Sequence, residues 1–454
     1  MKLESINPAT GERIQTFEGI NRKEIIDKIE KGHHAHMEWR LLYLYTRAKY
    51  LKKTAAVLRE QKDELARLIT LEVGKPLTQS LAEVEKCAVL AEYYATNGPI
   101  FLEDKEVKTE ASKSYITIQP LGIILGIMPW NFPLWQAFRF ALPVIMAGNS
   151  VLLKHAPNVL KCAQAIEKIF VDSGFPQGVF QNLIINVDQV PFIIENKFVQ
   201  GVSLTGSEAA GKAVAQLAGK NLKPSVLELG GSDPYVVFQD ADLEQTVESC
   251  VTSRLVNCGQ TCVSAKRFIV DEKIYPLFLE MFIEKMKSKQ MGDPNDEVDL
   301  GPMARKDLRD QIHTQVERSV SEGAKLELGG KIPDKKGYYY PPTILSDVKP
   351  GMTAWDEETF GPVAAVTPFT TELEAVRLAQ LTNYGLGAAL FSKDLDRMEK
   401  LAKYKILAGS VFINDFVKSD PRLPFGGIKS SGFGRELSEY GMLEFANVKT
   451  IYIK

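Results

Sequence analysis

The chain has 454 residues, which is enough for two or more domains. Its composition, 45% hydrophobic and 25% charged, is that of an ordinary globular protein. The net charge of −2 provides no basic field, so we expect neither nucleic acid nor a membrane as a partner. Five scattered cysteines do not make a disulfide framework, and the first residues lack the apolar core of a signal peptide. We therefore expect a cytoplasmic location.

The first hundred residues are predicted to be mainly helical, because apolar positions recur every three or four residues. The predicted helices are Lys23 to His33, Tyr45 to Glu72 and Leu77 to Tyr94. The segment from Leu121 to Gly148 contains a single charge, Arg139, so a membrane span is one interpretation. Three prolines within this segment favour a buried strand, a loop and a buried helix instead.

From residue 150 onward, short apolar runs alternate with helical patterns. This rhythm predicts an α/β fold with mostly parallel sheets. A second alternating region begins at residue 225, which suggests two such domains with a cleft between them. The last segment, Thr450 to Ile453, is predicted to be a strand, and pairing with another subunit is one option for it.

Two cysteines, Cys258 and Cys262, lie in a short glycine-containing segment between a predicted helix and a predicted strand. A loop of this kind can display a reactive thiolate. Asn131 lies between two prolines, where its amide is either an oxyanion donor or a helix cap. Glu228 ends an apolar strand, where a carboxylate is either a general base or the partner of a lysine.

Two further segments have weaker signals. Gly206 and Ser207 follow a strand and open a helix, which suits a phosphate group, although Ser207 is equally interpretable as a helix cap. His33, His34 and His36 form a cluster, but neither a carboxylate nor a cysteine pattern accompanies them. We therefore predict no metal site.

Taken in order, the motifs PWNFP, LELGG, GQTC, EETFGP and PFGGIK resemble those of the aldehyde dehydrogenase superfamily. The resemblance extends from end to end and is closest to the shorter NAD(P)-dependent succinate-semialdehyde dehydrogenases. It implies that Cys262 is the nucleophile, that Asn131 and the Cys262 N–H hold the oxyanion, and that Glu228 activates the hydrolytic water. Cys258 falls on a variable position and is either a bystander or a redox partner of Cys262.

The same resemblance implies a fold of two Rossmann-type parallel-sheet domains with a small β oligomerisation arm. The NAD(P)-binding domain is expected at residues 1–110 and 127–226, and the catalytic domain at 227–410, with 411–431 returning to the cleft. The oligomerisation element is expected at 111–126 and 432–454. A homodimer or homotetramer follows from this arrangement.

The cofactor site is also implied by resemblance, on Trp130, Lys154, Gly206, Ser207, Glu358 and Phe360. Most NAD-preferring members have a glutamate three residues after the lysine, but this chain has Pro157. Without a carboxylate to repel a 2′-phosphate, NADP should be accepted and the use of NAD should survive. The sequence leaves the preference between the two cofactors open.

The substrate site is expected on the helix after Asn131 and on a later loop, with Trp135, Gln136, Arg139 and Ser419 lining a tunnel. A buried guanidinium needs an anion, so Arg139 either pairs with a protein carboxylate or holds a carboxylate of the substrate. The second interpretation, with the local motif, predicts succinic semialdehyde as substrate. A different small aldehyde, coenzyme A acylation, or a catalytically silent binding protein are the alternatives.

Overall fold

Most strands belong to two large sheets, each formed by a different part of the chain. The structure is a computed structural model and describes residues 2–454. The strands are, in chain order, β1 (Lys2–Ile6), β2 (Arg13–Glu18), β3 (Lys105–Glu106), β4 (Lys113–Pro120), β5 (Ile123–Met128), β6 (Ser150–His155), β7 (Phe180–Asn182), β8 (Val199–Thr205), β9 (Ser225–Glu228), β10 (Asp233–Val237), β11 (Ala265–Asp271), β12 (Lys325–Leu328), β13 (Thr343–Ser346), β14 (Val363–Phe369), β15 (Gly387–Phe391), β16 (Ser410–Ile413), β17 (Gly432–Phe433) and β18 (Ala446–Ile453).

Helices surround these sheets. They are α1 (Arg22–Trp39), α2 (Leu44–Glu60), α3 (Lys62–Val73), α4 (Leu77–Phe101), α5 (Pro133–Met146), α6 (Leu160–Asp172), α7 (Val190–Glu195), α8 (Glu208–Lys220), α9 (Leu243–Leu255), α10 (Tyr275–Lys287), α11 (Lys306–Ser321), α12 (Thr353–Asp356), α13 (Glu372–Gln380), α14 (Leu395–Tyr404) and α15 (Ser438–Leu443). The helix predicted from Tyr45 to Glu72 is in fact two helices, α2 and α3, separated at Gln61. The apolar periodicity continues across this break, so the sequence pattern did not reveal it.

The first large sheet has the strand order β17-β9-β8-β5-β6-β7. All its pairings are parallel except that of β17 with β9. Its strands are buried apolar runs, as expected for a sheet covered by helices on both faces. The chain proceeds from β5 to β6 on one side and later returns to β8 on the other. This reversal of strand order opens a crevice at the carboxyl ends of β5 and β8.

The second large sheet has the order β12-β13-β14-β11-β10-β15-β16 and is parallel except for β12. The two parallel sheets with flanking helices confirm the predicted fold class. The helix predicted after Asn131 is also present, as α5, and all fourteen of its residues are buried.

A third, antiparallel sheet has the order β18-β4-β3. The terminal strand β18 pairs with β4 of the same chain, from Ala446 opposite Pro120 to Ile453 opposite Lys113. Two predicted domain limits need adjustment at this arm, because β5 crosses the limit at residues 126 and 127 and belongs entirely to the first large sheet. Residues 432–433 likewise form β17 of that sheet.

Candidate active site

The predicted catalytic residues meet at the carboxyl edge of the first large sheet. β5 ends just before Trp130 and Asn131, β8 ends just before Gly206 and Ser207, and β9 ends at Glu228. Glu228 lies opposite Thr205 in the register of β9 with β8. The fold therefore brings together three segments that are far apart in the sequence.

The segment carrying the two cysteines adopts an uncommon backbone. Asn257, Cys258 and Gly259 all have positive φ angles, of 52°, 55° and 72°. Two of these residues are not glycine, so such a backbone persists only where the surrounding structure holds it. Buried Arg254 does so by donating to the carbonyl oxygens of Gly259, at 2.6 Å, and Ala265, at 2.8 Å.

Asn131 connects its own loop to the cysteine segment. Its side-chain amide nitrogen donates to the carbonyl oxygen of Gln260 at 3.0 Å, and Asn257 donates from its side chain to the carbonyl oxygen of Asn131 at 2.7 Å. An amide nitrogen carries two hydrogens, so one donor of Asn131 remains available. The structure therefore brings Asn131 and the Cys262 segment together, as an oxyanion site requires.

Cys262 is half-buried and opens onto a cavity of about 280 Å³. Burial raises the pKa of its thiol to about 11, while the nearby cations Arg139 and Lys266 act in the opposite direction. Lys266 also donates to the carbonyl oxygen of Cys262 at 2.7 Å. The thiol needs additional positive charge before it can become a thiolate near neutral pH.

Cys258 differs from Cys262 in its surroundings. It is only 2% exposed, and burial raises the pKa of its thiol to about 12. Both sulfurs are free thiols in the structure. A buried thiol with a raised pKa is a poor redox partner, and these observations favour the bystander interpretation.

Glu228 is buried, and neither oxygen of its carboxyl group has a hydrogen-bond partner among the described residues. Burial raises its pKa well above the usual range, and the nearby carboxyl group of Glu436 adds to this effect. No lysine pairs with Glu228 within residues 2–454, so the alternative of an ion-paired glutamate is wrong. An orphaned carboxyl group in this position is suited to bind and deprotonate a water molecule.

Arg139 forms an ion pair with Glu436, a residue that the sequence reasoning did not identify. Both side chains are buried, and one terminal nitrogen of Arg139 lies 3.4 Å from the Thr205 hydroxyl. The guanidinium also lines the cavity above Cys262. The interpretation of Arg139 as half of a protein ion pair is therefore confirmed, and the cavity still contacts the same side chain.

The predicted cofactor residues form a second group beside the catalytic ones. Lys154 is buried in β6, and burial alone accounts for its lowered pKa, because no carboxylate of residues 2–454 lies beside it. An unpaired buried ammonium fits an anionic or hydroxyl-bearing ligand. Pro157 is exposed three residues further on. Ser207 caps α8 by accepting a hydrogen bond from Ala210, and it is exposed beside Gly206.

Glu358 and two aromatic residues complete this group. The carboxylate of Glu358 accepts the N–H of Gly231 at 3.0 Å and lies 3.3 Å from the ammonium of Lys266. Trp130 and Phe360 make an edge-to-face contact, with ring centroids 5.8 Å apart. Lys266 contacts both Glu358 and the main chain of Cys262. The residues expected to bind the cofactor are therefore adjacent to the nucleophile.

The cavity above Cys262 also contains the other predicted substrate residues. Trp135, Gln136 and Ser419 all line it, together with Phe132, Phe416 and Phe425. The side-chain oxygen of Gln136 is buried without a partner. A largely apolar cavity with a few polar groups is the usual form of a small-molecule site.

Among the cavity residues that the sequence reasoning missed, two charged ones lie on α4. Glu83 is buried, pairs with Lys75 and accepts the N–H groups of Leu134 and Trp135, each at 3.0 Å. Lys86 lines the cavity one turn further along α4. The only available signal was a pair of charges three residues apart within a mostly apolar helix, and such pairs usually face solvent.

The described residues give no support to a metal site or a membrane span. In residues 2–454 no three potential ligands among His, Cys, Asp and Glu are grouped to hold a metal ion. His36 instead contacts the carbonyl oxygen of Gly148, and His33 stacks on Phe198. Over the same residues, no helix is both long and apolar enough to cross a membrane.

Comparison with known proteins agrees with this geometry. The model of the aldehyde dehydrogenase family matches residues 1–451. A probable succinate-semialdehyde dehydrogenase [NADP(+)] of Synechocystis is 45% identical, with both chains fully covered. Succinate semialdehyde dehydrogenase [NAD(P)+] Sad of Escherichia coli is 46% identical over 99% of this chain and 97% of its own.

A solved structure is also closely similar. The crystal structure of succinic semialdehyde dehydrogenase from Streptococcus pyogenes in complex with NADP+ has a TM-score of 0.97 and 38% identity, and 99% of each chain is covered. The chain belongs to the aldehyde dehydrogenase family. The resemblance expected from the sequence motifs and the expected activity, oxidation of an aldehyde, are thereby confirmed.

Proposed function

We propose that this protein oxidises succinic semialdehyde to succinate with NADP or NAD, using Cys262 as the nucleophile. The observation that carries the proposal is the half-buried Cys262 thiol, which opens onto a cavity lined by both apolar and cationic side chains. A four-carbon acidic aldehyde suits such a cavity. The names of the Synechocystis and Escherichia coli relatives support this substrate class.

The first chemical step is attack of the Cys262 sulfur on the aldehyde carbon, which turns the carbonyl oxygen into an oxyanion. The free donor of the Asn131 amide and the backbone N–H of Cys262 stabilise that oxyanion. When bound, NADP or NAD would supply the hydride acceptor for this carbon and a positive charge near the sulfur. The product of this step is a thioester on Cys262.

The second step is hydrolysis of the thioester. Glu228 takes a proton from a water molecule, the water oxygen attacks the thioester carbon, and the sulfur leaves as the thiolate. Aldehyde, oxidised cofactor and water thus become carboxylate, reduced cofactor and two protons. The raised pKa of Glu228 makes its carboxylate a stronger base than that of an exposed glutamate. The buried Arg139–Glu436 pair lies beside Glu228 and sets the charge around it.

The residues present fit a dinucleotide cofactor. Lys154 would hold the adenosine ribose, and Gly206 and Ser207 would present the start of α8 to the pyrophosphate. Glu358 would hold the second ribose, with Trp130 and Phe360 lining the same crevice. Pro157 offers no carboxylate to repel a 2′-phosphate, which favours acceptance of NADP. The cofactors in the names of the relatives agree with this expectation.

We further propose a cytoplasmic homo-oligomer, either a dimer or a tetramer. The exposed β18 supports this, because the edge of β18 away from β4 pairs with no other strand of residues 2–454. An unpaired edge strand is a natural site for a second subunit. The domain division at residues 1–110 with 127–226, 227–410 and the arm remains a prediction, except that β5 and β17 belong to the first large sheet.

The test is a substrate panel on the purified protein. We expect kcat/KM for succinic semialdehyde to exceed that for butanal, its uncharged four-carbon analogue, by about tenfold or more. This factor corresponds to the usual free-energy contribution of one charged hydrogen bond. Each aldehyde is assayed with NADP and with NAD, and with and without coenzyme A. Equal rates for the two aldehydes would contradict the proposed substrate. An acyl-coenzyme A product would show that a thiol, rather than water activated by Glu228, takes the acyl group.

A further inference from the structure

The cavity wall contains four charged side chains, and Lys86 is the only one without an oppositely charged partner in residues 2–454. Glu83 pairs with Lys75, Arg139 pairs with Glu436, and Lys418 pairs with Asp415. Asp420 and Glu83 influence Lys86 only from outside ion-pair distance. The wall therefore carries one net positive charge, and it is located at Lys86.

Neutral groups hold the Lys86 ammonium at the wall. It donates to the hydroxyl oxygen of Ser419 at 2.7 Å and lies 4.1 Å from the centroid of the Trp135 ring. An ammonium has three donors, and only one of them is used here. Because Ser419 accepts this hydrogen bond, its own hydroxyl proton is free to be donated to a ligand.

We propose that Lys86 binds the carboxylate at the far end of the substrate and thereby sets the preference of the enzyme for acidic aldehydes. This inference rests on the proposed function, which it makes more specific. Ser419 is the second donor to the same carboxylate, and the cation–π contact with the Trp135 ring helps to hold the ammonium in place.

Arg139 was the cation expected for this task, and its surroundings argue that it is not sufficient. Glu436 already neutralises its charge, and the Thr205 hydroxyl lies beside one of its terminal nitrogens. A carboxylate that relied on Arg139 alone would enter a wall with no net charge there. With Lys86, the incoming anion meets an uncompensated cation, and a charge-assisted contact of this kind is about twice as strong as a neutral one.

The decisive variant is Lys86→Met, which keeps most of the length of the side chain and removes its charge. We expect KM for succinic semialdehyde to rise about tenfold or more, while kcat/KM for butanal changes by less than about twofold. Lys86→Arg should retain the preference for the acidic aldehyde. Lys418→Met is the matched control, because that lysine is exposed at the cavity mouth and paired with Asp415. This variant should leave kcat/KM for both aldehydes nearly unchanged.

Three outcomes separate the possible explanations. If wild type prefers succinic semialdehyde and Lys86→Met keeps the full preference, the role of Lys86 is overturned and the proposed function stands. If Lys86→Met impairs both aldehydes alike, Lys86 is structural and the inference is again overturned. If wild type shows no preference, the proposed function fails, and inhibition then decides: succinamate, but not butyramide, should inhibit butanal oxidation in wild type and lose its effect in Lys86→Met. Equal inhibition of both proteins would overturn the inference.

Discussion

The two sides of the cavity above Cys262 are held in place by different kinds of interaction. On the side of the cysteine segment, neutral amides and buried cations bind backbone carbonyl oxygens, as Asn131 binds Gln260 and Arg254 binds Gly259. On the side of α4 and α5, buried ion pairs hold the side chains in place: Glu83 is bound to Lys75 and Arg139 is bound to Glu436. The first arrangement fixes the backbone of the cysteine segment, and the second fixes the distribution of charge around the cavity.

This difference separates two requirements of the enzyme. A nucleophile needs a fixed position, and hydrogen bonds to the backbone provide one that is independent of the substrate. Substrate selection needs charge in a dry cavity, where a missing or extra ion is costly. Changes on the cysteine side should therefore affect all aldehydes alike, while changes on the helical side should affect stability, the charge around Glu228, or the preference between substrates.

The largest effect is expected from the two cysteines of the first side. Cys262→Ala should lower kcat by about a thousandfold or more for every aldehyde, because the covalent path is lost. Cys258→Ala is the matched control and should retain most of the activity, since its sulfur is buried and does not line the cavity. Steady-state rates with succinic semialdehyde and butanal measure both. A large loss in Cys258→Ala would mean that both thiols serve the reaction.

The same pair tests whether the two sulfurs form a disulfide. Peroxide should inactivate wild type and Cys258→Ala in the same way, with the same recovery in dithiothreitol, because the Cys258 thiol has a pKa of about 12. Recovery confined to wild type would instead establish Cys258 as the redox partner of Cys262.

The next largest effect concerns the buried pair on the second side. Arg139→Met should lower the free energy of unfolding by about 3–5 kcal/mol, because it leaves Glu436 buried without its counter-ion. It should also slow the oxidation of both succinic semialdehyde and butanal, since Glu436 acts on the pKa of Glu228. Chemical denaturation and the two-substrate assay measure these effects.

The double variant Arg139→Met with Glu436→Leu supplies the control. Removing both charges should restore most of the lost stability, because no buried ion then lacks a partner. A single variant that unfolds normally and loses only succinic semialdehyde would show that Arg139, despite its pairing, is the main anchor of the substrate carboxylate.

The two sides also differ in how far the sequence predicted them. The cysteine side is encoded in short contiguous motifs, so Cys262, Asn131 and Glu228 were identified from the residues and their resemblance. The alternation of strands and helices likewise predicted the α/β fold, although not the break between α2 and α3. These features depend on residues that are close together in the sequence, so sequence patterns can predict them.

The helical side depends on residues that meet only in three dimensions. Glu436 lies far from Arg139 in the chain, and nothing near Arg139 indicates which carboxylate will pair with it. Lys86 has the spacing of an ordinary solvated charge on a helix, and only the position of α4 beside α5 turns it toward the cavity. The packing of α4, α5 and the loop containing Ser419 decides which of the cavity cations lacks a carboxylate partner.

The smallest expected effect is a pH dependence of the substrate preference, which arises because Lys86 is packed in the cavity wall. Burial, with the nearby Arg139, lowers the pKa of Lys86 to about 8, against the smaller opposing influences of Cys87, Glu83 and Asp420. Lys86 is therefore charged below about pH 8 and loses its charge as the pH rises through that value. The ratio of kcat/KM for succinic semialdehyde to that for butanal should fall about tenfold between about pH 7 and 9, in proportion to the charged fraction of Lys86. Taking the ratio cancels the titration of Cys262 and Glu228, which both substrates share. Lys86→Arg, whose charge persists, should show a flat ratio, and a falling ratio in that variant would assign the titration to another group.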